Sequence, residues 1–442
     1  QFLHFLLGEW RIHPLSTAIQ PTILQGATHL PDLILRLQGL RMNYIHPYIE
    51  VCLSSADDLF KASSHGPSCI RPRLNNEIRE LAFARAPINQ IRDAAIRTGM
   101  RTLLQDGKIK LPAGKTKGEK TIDIRGKYVV PGFVDIHFHG LNLFYFTLGR
   151  FNPQTETFDG SKSTYQQGFE MLTKTLAGFG VTGFYIATFA ASLESLKNCY
   201  ANLADYLEQQ KNKPLTGSRL FGGLLEGSFI SPDMAGAQDP AFVFKPSTEA
   251  FDSISDKGSI KLTLVGPDSG EPAVKLTRYL TDKGIIVGAG HTNATYNQIF
   301  DAVNAGLKYC IHFTNGPTGG SYKPFNRGGA IEAVLQLEQM YAELIADGYH
   351  VNPAYIRDII KRKGFKKIIG ITDCMFVAGS SVKRIKIGSV SGIVSDDSRY
   401  IAVENKKNTL FGSVLTVNRG FENMLNWLTS DMPGIWNKRH AA

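Results

Sequence analysis

Two histidines stand two residues apart in VVPGFVDIHFHG, residues 129–140. Alternate side chains of an extended strand share a face, so Asp135, His137 and His139 point the same way. Such a set suits a divalent metal, and it suits equally the wet end of a strand. The rest of the chain decides between them. Between residues 128 and 439 there are five histidines, 137, 139, 291, 312 and 350, and each lies at or near the C-terminal end of an apolar run. Glu226 closes LLEG and Asp373 stands in GITDC, at the ends of two further runs. A lone strand-end histidine usually makes only a hydrogen bond, but this recurrence points to a shared metal site. Neutral imidazole nitrogens and carboxylate oxygens hold zinc or a similar ion and leave a position for water. Water bound in this way loses a proton near neutrality, and a neighbouring carboxylate can carry that proton to a leaving amine.

The elements that must position these groups are legible as apolar runs bounded by glycine: YVVPGFVDIHF, GVTGFYIATF, RLFGGLLEG, IKLTLVGP, GIIVGAGH, YCIHFTNG, ELIADGYH and KKIIGITDC. Helical stretches such as TYQQGFEMLTKTLAGF and NPAYIRDIIKRKG lie between most of them. Strand and helix in alternation predict a parallel sheet. Eight strands over residues 128–430 predict a closed (β/α)8 barrel, whose strand ends form the active-site mouth. A doubly wound open sheet is the alternative. Gly288 and Gly290 are read as packing residues at that mouth, and Cys374 as a small packing residue beside Asp373.

The chain has 442 residues, 43% hydrophobic and 20% charged, with a net charge of +10. Its basic residues neither cluster with aromatics nor form a nucleic-acid motif, so the charge reflects either a small anionic substrate or no function at all. No apolar run reaches the roughly 18–20 residues that span a bilayer. QFLHFLLGEW lacks the basic start and small-residue cleavage pattern of a signal peptide. Five scattered cysteines without a CxxC pair fit reduced thiols and a cytoplasmic location. The first residue is Gln, so a fragment or trimmed product is expected.

PGFVDIHFHG, LLEGSFISPDMAGAQDP, GAGHTNAT, IHFTNG, IADGYHVN and GITDCMFVAG resemble, in this order, the motifs of N-acetylglucosamine-6-phosphate deacetylases in the amidohydrolase superfamily. The resemblance spans about residues 102–425. It implies a metal-dependent hydrolase barrel in which Glu226, His291 and His312 hold the main ion. His137 and His139 would hold a second, with Glu226 bridging. The cofactor implied is therefore one or two divalent ions, zinc first, with iron, manganese and cobalt also suited to the ligands. Asp373 would be a further ligand and the general base, then acid. Hydroxide on the metal would attack the acetyl carbonyl. Asn315 and His350 would contact the sugar phosphate.

Two departures bear on the substrate. Gln238 occupies the place of a family histidine that polarises the acetyl carbonyl; an amide donates a hydrogen bond but carries no charge. The family's phosphate-binding arginine falls within GGSYKPFNRGGA, where Lys323 and Arg327 both qualify. A phosphate ligand lent by a neighbouring subunit would imply a homodimer. The expected partner is an amino-sugar phosphate, with neither nucleic acid nor membrane. Two other readings remain: an amidohydrolase for another N-acyl or cyclic amide, and a non-catalytic remnant that binds metal or sugar.

The first 100 residues hold nine Arg and one Lys, the other 342 hold 12 Arg and 27 Lys, which suggests segments of different origin. Residues 1–100 are read as an N-terminal extension, with helical spacing over 76–107. That stretch resembles the C-terminal tail of type II secretion and pilus-assembly ATPases but has no phosphate loop, so no ATPase activity is implied. Residues 101–127 read as a hairpin, the remnant of the family's small β-sandwich, and 431–442 as a tail. The family's last β-strands are not found after FENMLNWL, so unpaired strand edges are expected. Limited trypsin digestion checks this: the expected first cuts fall within 101–127, and protection of that segment would contradict the expectation.

Overall fold

A computed structural model describes residues 131–429 except 214–215, 255–257 and 317–327. Before residue 131 it describes the strands Ile49–Cys52, Asp93–Arg97, Arg101–Gln105, Lys108–Lys110, Lys120–Asp123 and Tyr128–Pro131. Two compact units divide the chain, Gln1–Gly132 and Phe133–Ala442.

The second unit carries eight parallel strands: β1 Phe133–Asp135, β2 Val181–Ala187, β3 Arg219–Leu225, β4 Ile260–Val265, β5 Ile286–Ala289, β6 Tyr309–Cys310, β7 Tyr341–Ile345 and β8 Ile368–Ile371. They pair in sequence order, each with the next. The ring closes just beyond β1 and β8, where Asp373 N donates to His137 O at 2.9 Å and His139 N to Cys374 O at 3.0 Å. Every residue of β2 and of β7 is buried, as expected for strands covered on both faces. The helices are α1 Lys162–Ala177, α2 Leu193–Lys211, α3 Thr248–Ile254, α4 Glu271–Asp282, α5 Tyr296–Asn304, α6 Ala330–Gln336, α7 Pro353–Lys363 and α8 Val417–Thr429. One follows each strand, which is the expected (β/α)8 barrel. Their starts are written locally. Ser161 and Ser192 cap α1 and α2, Thr295 and Gln298 form a capping box on α5, and Asn352 with Pro353 opens α7. Helix α1 buries Tyr165, Phe169, Leu172 and Leu176 along one stripe.

Two antiparallel sheets interrupt this plan. Four short strands between Gly140 and Asp159 follow β1, and a meander of Arg384–Ile387, Val390–Val394, Tyr400–Val403 and Leu410–Ser413 lies between β8 and α8. Sequence patterning did not anticipate them. The strands after β1 include pairs only two residues long, below what periodicity detects. Both sheets contribute to a second buried cluster: Tyr145 and Phe151 from the first, Ile385, Ile401 and Phe411 from the second, with Phe189 and Phe376 between.

In the first unit, Lys108–Lys110, Arg101–Gln105, Asp93–Arg97 and Lys120–Asp123 form a sheet in that order, and Ile49–Cys52 pairs with Tyr128–Pro131. The helical spacing read over 76–107 is therefore corrected at 93–97 and 101–105, which are strands. A short apolar run fits either period, and here pairing with later segments overrides local propensity. That pairing joins residues on both sides of position 100. Residues 76–92, most of 1–75 and the tail 431–442 lie outside the described residues.

Close packing at the barrel mouth is testable. A Cβ on Gly288 would stand 2.5 Å from the Tyr309 ring. Gly288→Ala is expected to destabilise the chain by about 1–3 kcal/mol, the usual cost of overpacking; urea unfolding measures it.

Candidate metal centre

The strand ends deliver their side chains to one point. His137 and His139 follow β1 at two and four residues, Glu226 follows β3 directly, and His291, His312 and Asp373 each stand two residues past β5, β6 and β8. The last three have left-handed backbones, with φ of 45°, 22° and 52°. Asp and His enter this region more readily than β-branched residues, and such strain collects at functional sites. Thr188 holds the Glu226 backbone from both sides: its Oγ1 donates to Glu226 O and accepts from Glu226 N. Gly227, at φ +85°, leaves the space in which Gln238 and Ala190 approach; a Cβ there would strike both.

Glu226 is the hub. Its Oε2 lies 2.7 Å from His137 Nε2 and 3.3 Å from His139 Nε2; its Oε1 lies 3.3 Å from His291 Nε2 and 3.6 Å from His312 Nε2. Two groups result, His137–His139–Glu226 and Glu226–His291–His312, each able to hold a metal ion. Asp373 Oδ1 joins the first at 2.9 Å from His139 Nε2 and 3.5 Å from His137 Nε2.

The donor chemistry fits such an ion. Backbone carbonyls stand beside three Nδ1 atoms: Ala187 O at 3.1 Å from His139, Met234 O at 2.8 Å from His291 and Asn315 O at 2.6 Å from His312. A carbonyl only accepts, so Nδ1 carries the proton in each ring and Nε2 keeps its lone pair. Those lone pairs face carboxylate oxygens, an arrangement that asks for a cation between them. His139 Nε2 is buried and makes no hydrogen bond, although Asp373 Oδ1 is so near.

The electrostatics agree. Burial opposes charge on Glu226, but the charge of His137 and the contacts of three imidazoles hold its pKa well below the carboxylate range. Burial likewise opposes charge on Asp373, and His139, His137 and His312 lower its pKa overall. Burial would lower the pKa of His137, yet Glu226 and Glu343 raise it well above the ordinary value. His139 is raised against its burial by Asp373 and Glu226.

Gln238 belongs to the same cluster. Its Oε1 accepts from Ala190 N at 2.7 Å, which turns Nε2 to donate to Glu226 Oε1 at 2.9 Å, 3.5 Å from His291 Nε2. Asn315 Nδ2 donates to His350 O at 3.2 Å, and His350 Nδ1 lies 2.6 Å from Asp347 Oδ2. Lys323 and Arg327 lie outside the described residues. Cys374 is buried, and burial raises its thiol pKa well above normal, which suits packing rather than attack.

Sequence reading missed Glu343. It is fully buried in β7, with Oε2 2.9 Å from His137 Nδ1. The available signal was a carboxylate in the middle of the apolar run YAELI, since a buried charge needs partners. Asp135, pushed up to about 7 by burial against the bonds it accepts, braces β1 to β8 through Thr372 Oγ1 at 2.6 Å.

The His350–Asp347 pair predicts a pH dependence. Burial opposes the His350 charge, but Asp347 raises the pKa above 6.5 overall. The pair's contribution is therefore full below the unfolded pKa and lost as pH rises through the raised folded value. His350→Gln is expected to destabilise the chain by about 1.5–3 kcal/mol in mild acid. That deficit should shrink in alkali; urea titrations across pH would contradict the account if it grew.

No family model matches the chain. Among curated proteins, it is 28% identical to the N-acetylglucosamine-6-phosphate deacetylase of Bacillus subtilis over 313 residues, covering 70% of this chain and 72% of that one. It is also 28% identical to the deacetylase of the same name from Vibrio furnissii over 311 residues, covering 70% and 71%. Among solved structures, the N-acetylglucosamine-6-phosphate deacetylase of Pasteurella multocida superposes with a TM-score of 0.62 at 24% identity, covering 76% of this chain and 83% of that one, and so shares the fold. In the order of its motifs along the barrel and in its fold, the chain is thus similar to the N-acetylglucosamine-6-phosphate deacetylases.

Proposed function

We propose that the chain hydrolyses the N-acetyl amide of N-acetylglucosamine 6-phosphate, giving glucosamine 6-phosphate and acetate. The observation that carries this is the Glu226 hub, shared by two histidine pairs and flanked by Asp373, in a chain whose curated relatives bear that activity as their name. The ligand set proposed is Glu226, His291 and His312 for one divalent ion, and His137, His139 and Glu226 for a second with Asp373 beside it. Zinc suits these donors first. A bound ion supplies positive charge that polarises a carbonyl and acidifies water.

The remaining steps belong to side chains. Asp373, kept ionised by its histidine neighbours, accepts a proton from the water that attacks the amide carbon. It then returns that proton to the amine nitrogen as the C–N bond breaks, so one group serves as base and then acid. Gln238, tied to Ala190 and Glu226, steadies the hub and retains a second N–H for the acetyl oxygen. His350, whose charge Asp347 favours, together with Asn315, Lys323 and Arg327, is assigned to the phosphate. A phosphate ligand shared between subunits would make the working form a homodimer. No helix among the described residues is long and apolar enough to cross a membrane. We place the enzyme in the cytoplasm, consistent with Cys199, Cys310 and Cys374, which among the described residues are buried and unpaired.

Asp373→Asn tests the reaction. Acetate release from N-acetylglucosamine 6-phosphate should fall by about 10²–10⁴-fold, the usual worth of a general acid–base group, with metal content assayed in parallel. Retained turnover would remove Asp373 from the mechanism. Equal turnover of the unphosphorylated sugar by the unaltered chain would remove the phosphate from recognition.

A further inference from the structure

Glu343 is fully buried in a strand whose five residues are all buried, where an apolar side chain would serve packing without desolvating a charge. One of its oxygens does two things. Glu343 Oε2 lies 2.9 Å from His137 Nδ1 and accepts from the backbone N–H of His312 at 3.1 Å. His137 belongs to one candidate ion group and His312 to the other. We propose that Glu343 is a positioning residue that ties the two ion groups together, holding the His137 ring with Nε2 toward Glu226 while anchoring the backbone that carries His312.

This rests on the two-ion reading of the site and adds an ordering to it. The other three imidazoles have a backbone carbonyl at Nδ1; His137 has the Glu343 carboxylate in that place. A carboxylate behind a ligating imidazole both fixes its tautomer and strengthens its Nε2 as a donor. A backbone carbonyl fixes the tautomer but carries no charge. His312 does not depend on Glu343 for its ring, because Asn315 O accepts from its Nδ1. Loss of the Glu343 charge should therefore fall on the His137–His139–Glu226 group and spare Glu226–His291–His312.

Glu343→Gln keeps the shape and an oxygen able to accept both N–H groups. Zinc equivalents per chain, measured across buffered free-zinc levels, should show two sites in the unaltered protein. In Glu343→Gln one of these should weaken by about 10–100-fold, the usual effect of removing such a partner. ¹⁵N imidazole spectra identify the site that stays filled, which should be the His291–His312 one. A uniform weakening of both sites, or none, would overturn the proposal, since a merely structural role lowers the melting temperature without choosing a site. Fewer than two sites in the unaltered chain would instead count against the two-ion reading. The unaltered protein gives a measurement independent of the variant's folding: its zinc-loaded spectrum should show the His137 proton on Nδ1. A His137 ring without that proton would overturn the assignment to Glu343.

Discussion

A carboxylate buried at the centre of four imidazoles is the constraint on which this molecule depends. Glu226 has almost no access to water, and a lone charge there would cost several kcal/mol. It is tolerable because His137 and His139 face one of its oxygens, His291 and His312 the other, and Gln238 donates to the second. The histidines in turn are held by what stands at their far nitrogens. Three backbone carbonyls and one buried carboxylate set the tautomers, so the near nitrogens converge with their lone pairs toward Glu226. The arrangement is a cage for positive charge before any ion is considered.

The barrel supplies this geometry because its strands end together. Six residues from five strand ends, far apart in sequence, reach one rim, as active sites of this fold generally do. Regular strand geometry alone does not aim them. His291, His312 and Asp373 all leave their strands through left-handed backbone, and Gly227 gives up its side chain so that Gln238 can stand behind Glu226. Closing bonds between the ends of β1 and β8 run through His137, His139 and Asp373 themselves. Barrel closure and site assembly are thus the same set of contacts, which links local order at the rim to the chemistry it can perform.

The legibility of this plan in the sequence follows from what leaves a periodic or chemical trace. Eight apolar runs bounded by glycine announced the barrel, and GHTNAT, IHFTNG and GITDC announced residues now found at its rim. Glu343 left a trace that was overlooked, a charge within YAELI. The strands between Gly140 and Asp159 left none, because pairings of two or three residues are made by tertiary contact and have no period of their own. Asp93–Arg97 and Arg101–Gln105 carried a misleading trace, a helical spacing overridden by pairing with each other and with Lys120–Asp123. The Nδ1 partners Ala187, Met234 and Asn315 act through backbone carbonyls, which every residue possesses, so no residue type could mark them.

The central claim is that Glu226 is shared between two ion sites. Anomalous diffraction from zinc-loaded crystals, collected on both sides of the zinc absorption edge, tests it most directly. The account predicts two peaks flanking the Glu226 carboxylate, one beside His137 and His139 and the other beside His291 and His312. A single peak on one side of Glu226, or zinc bound elsewhere with the carboxylate untouched, would contradict it.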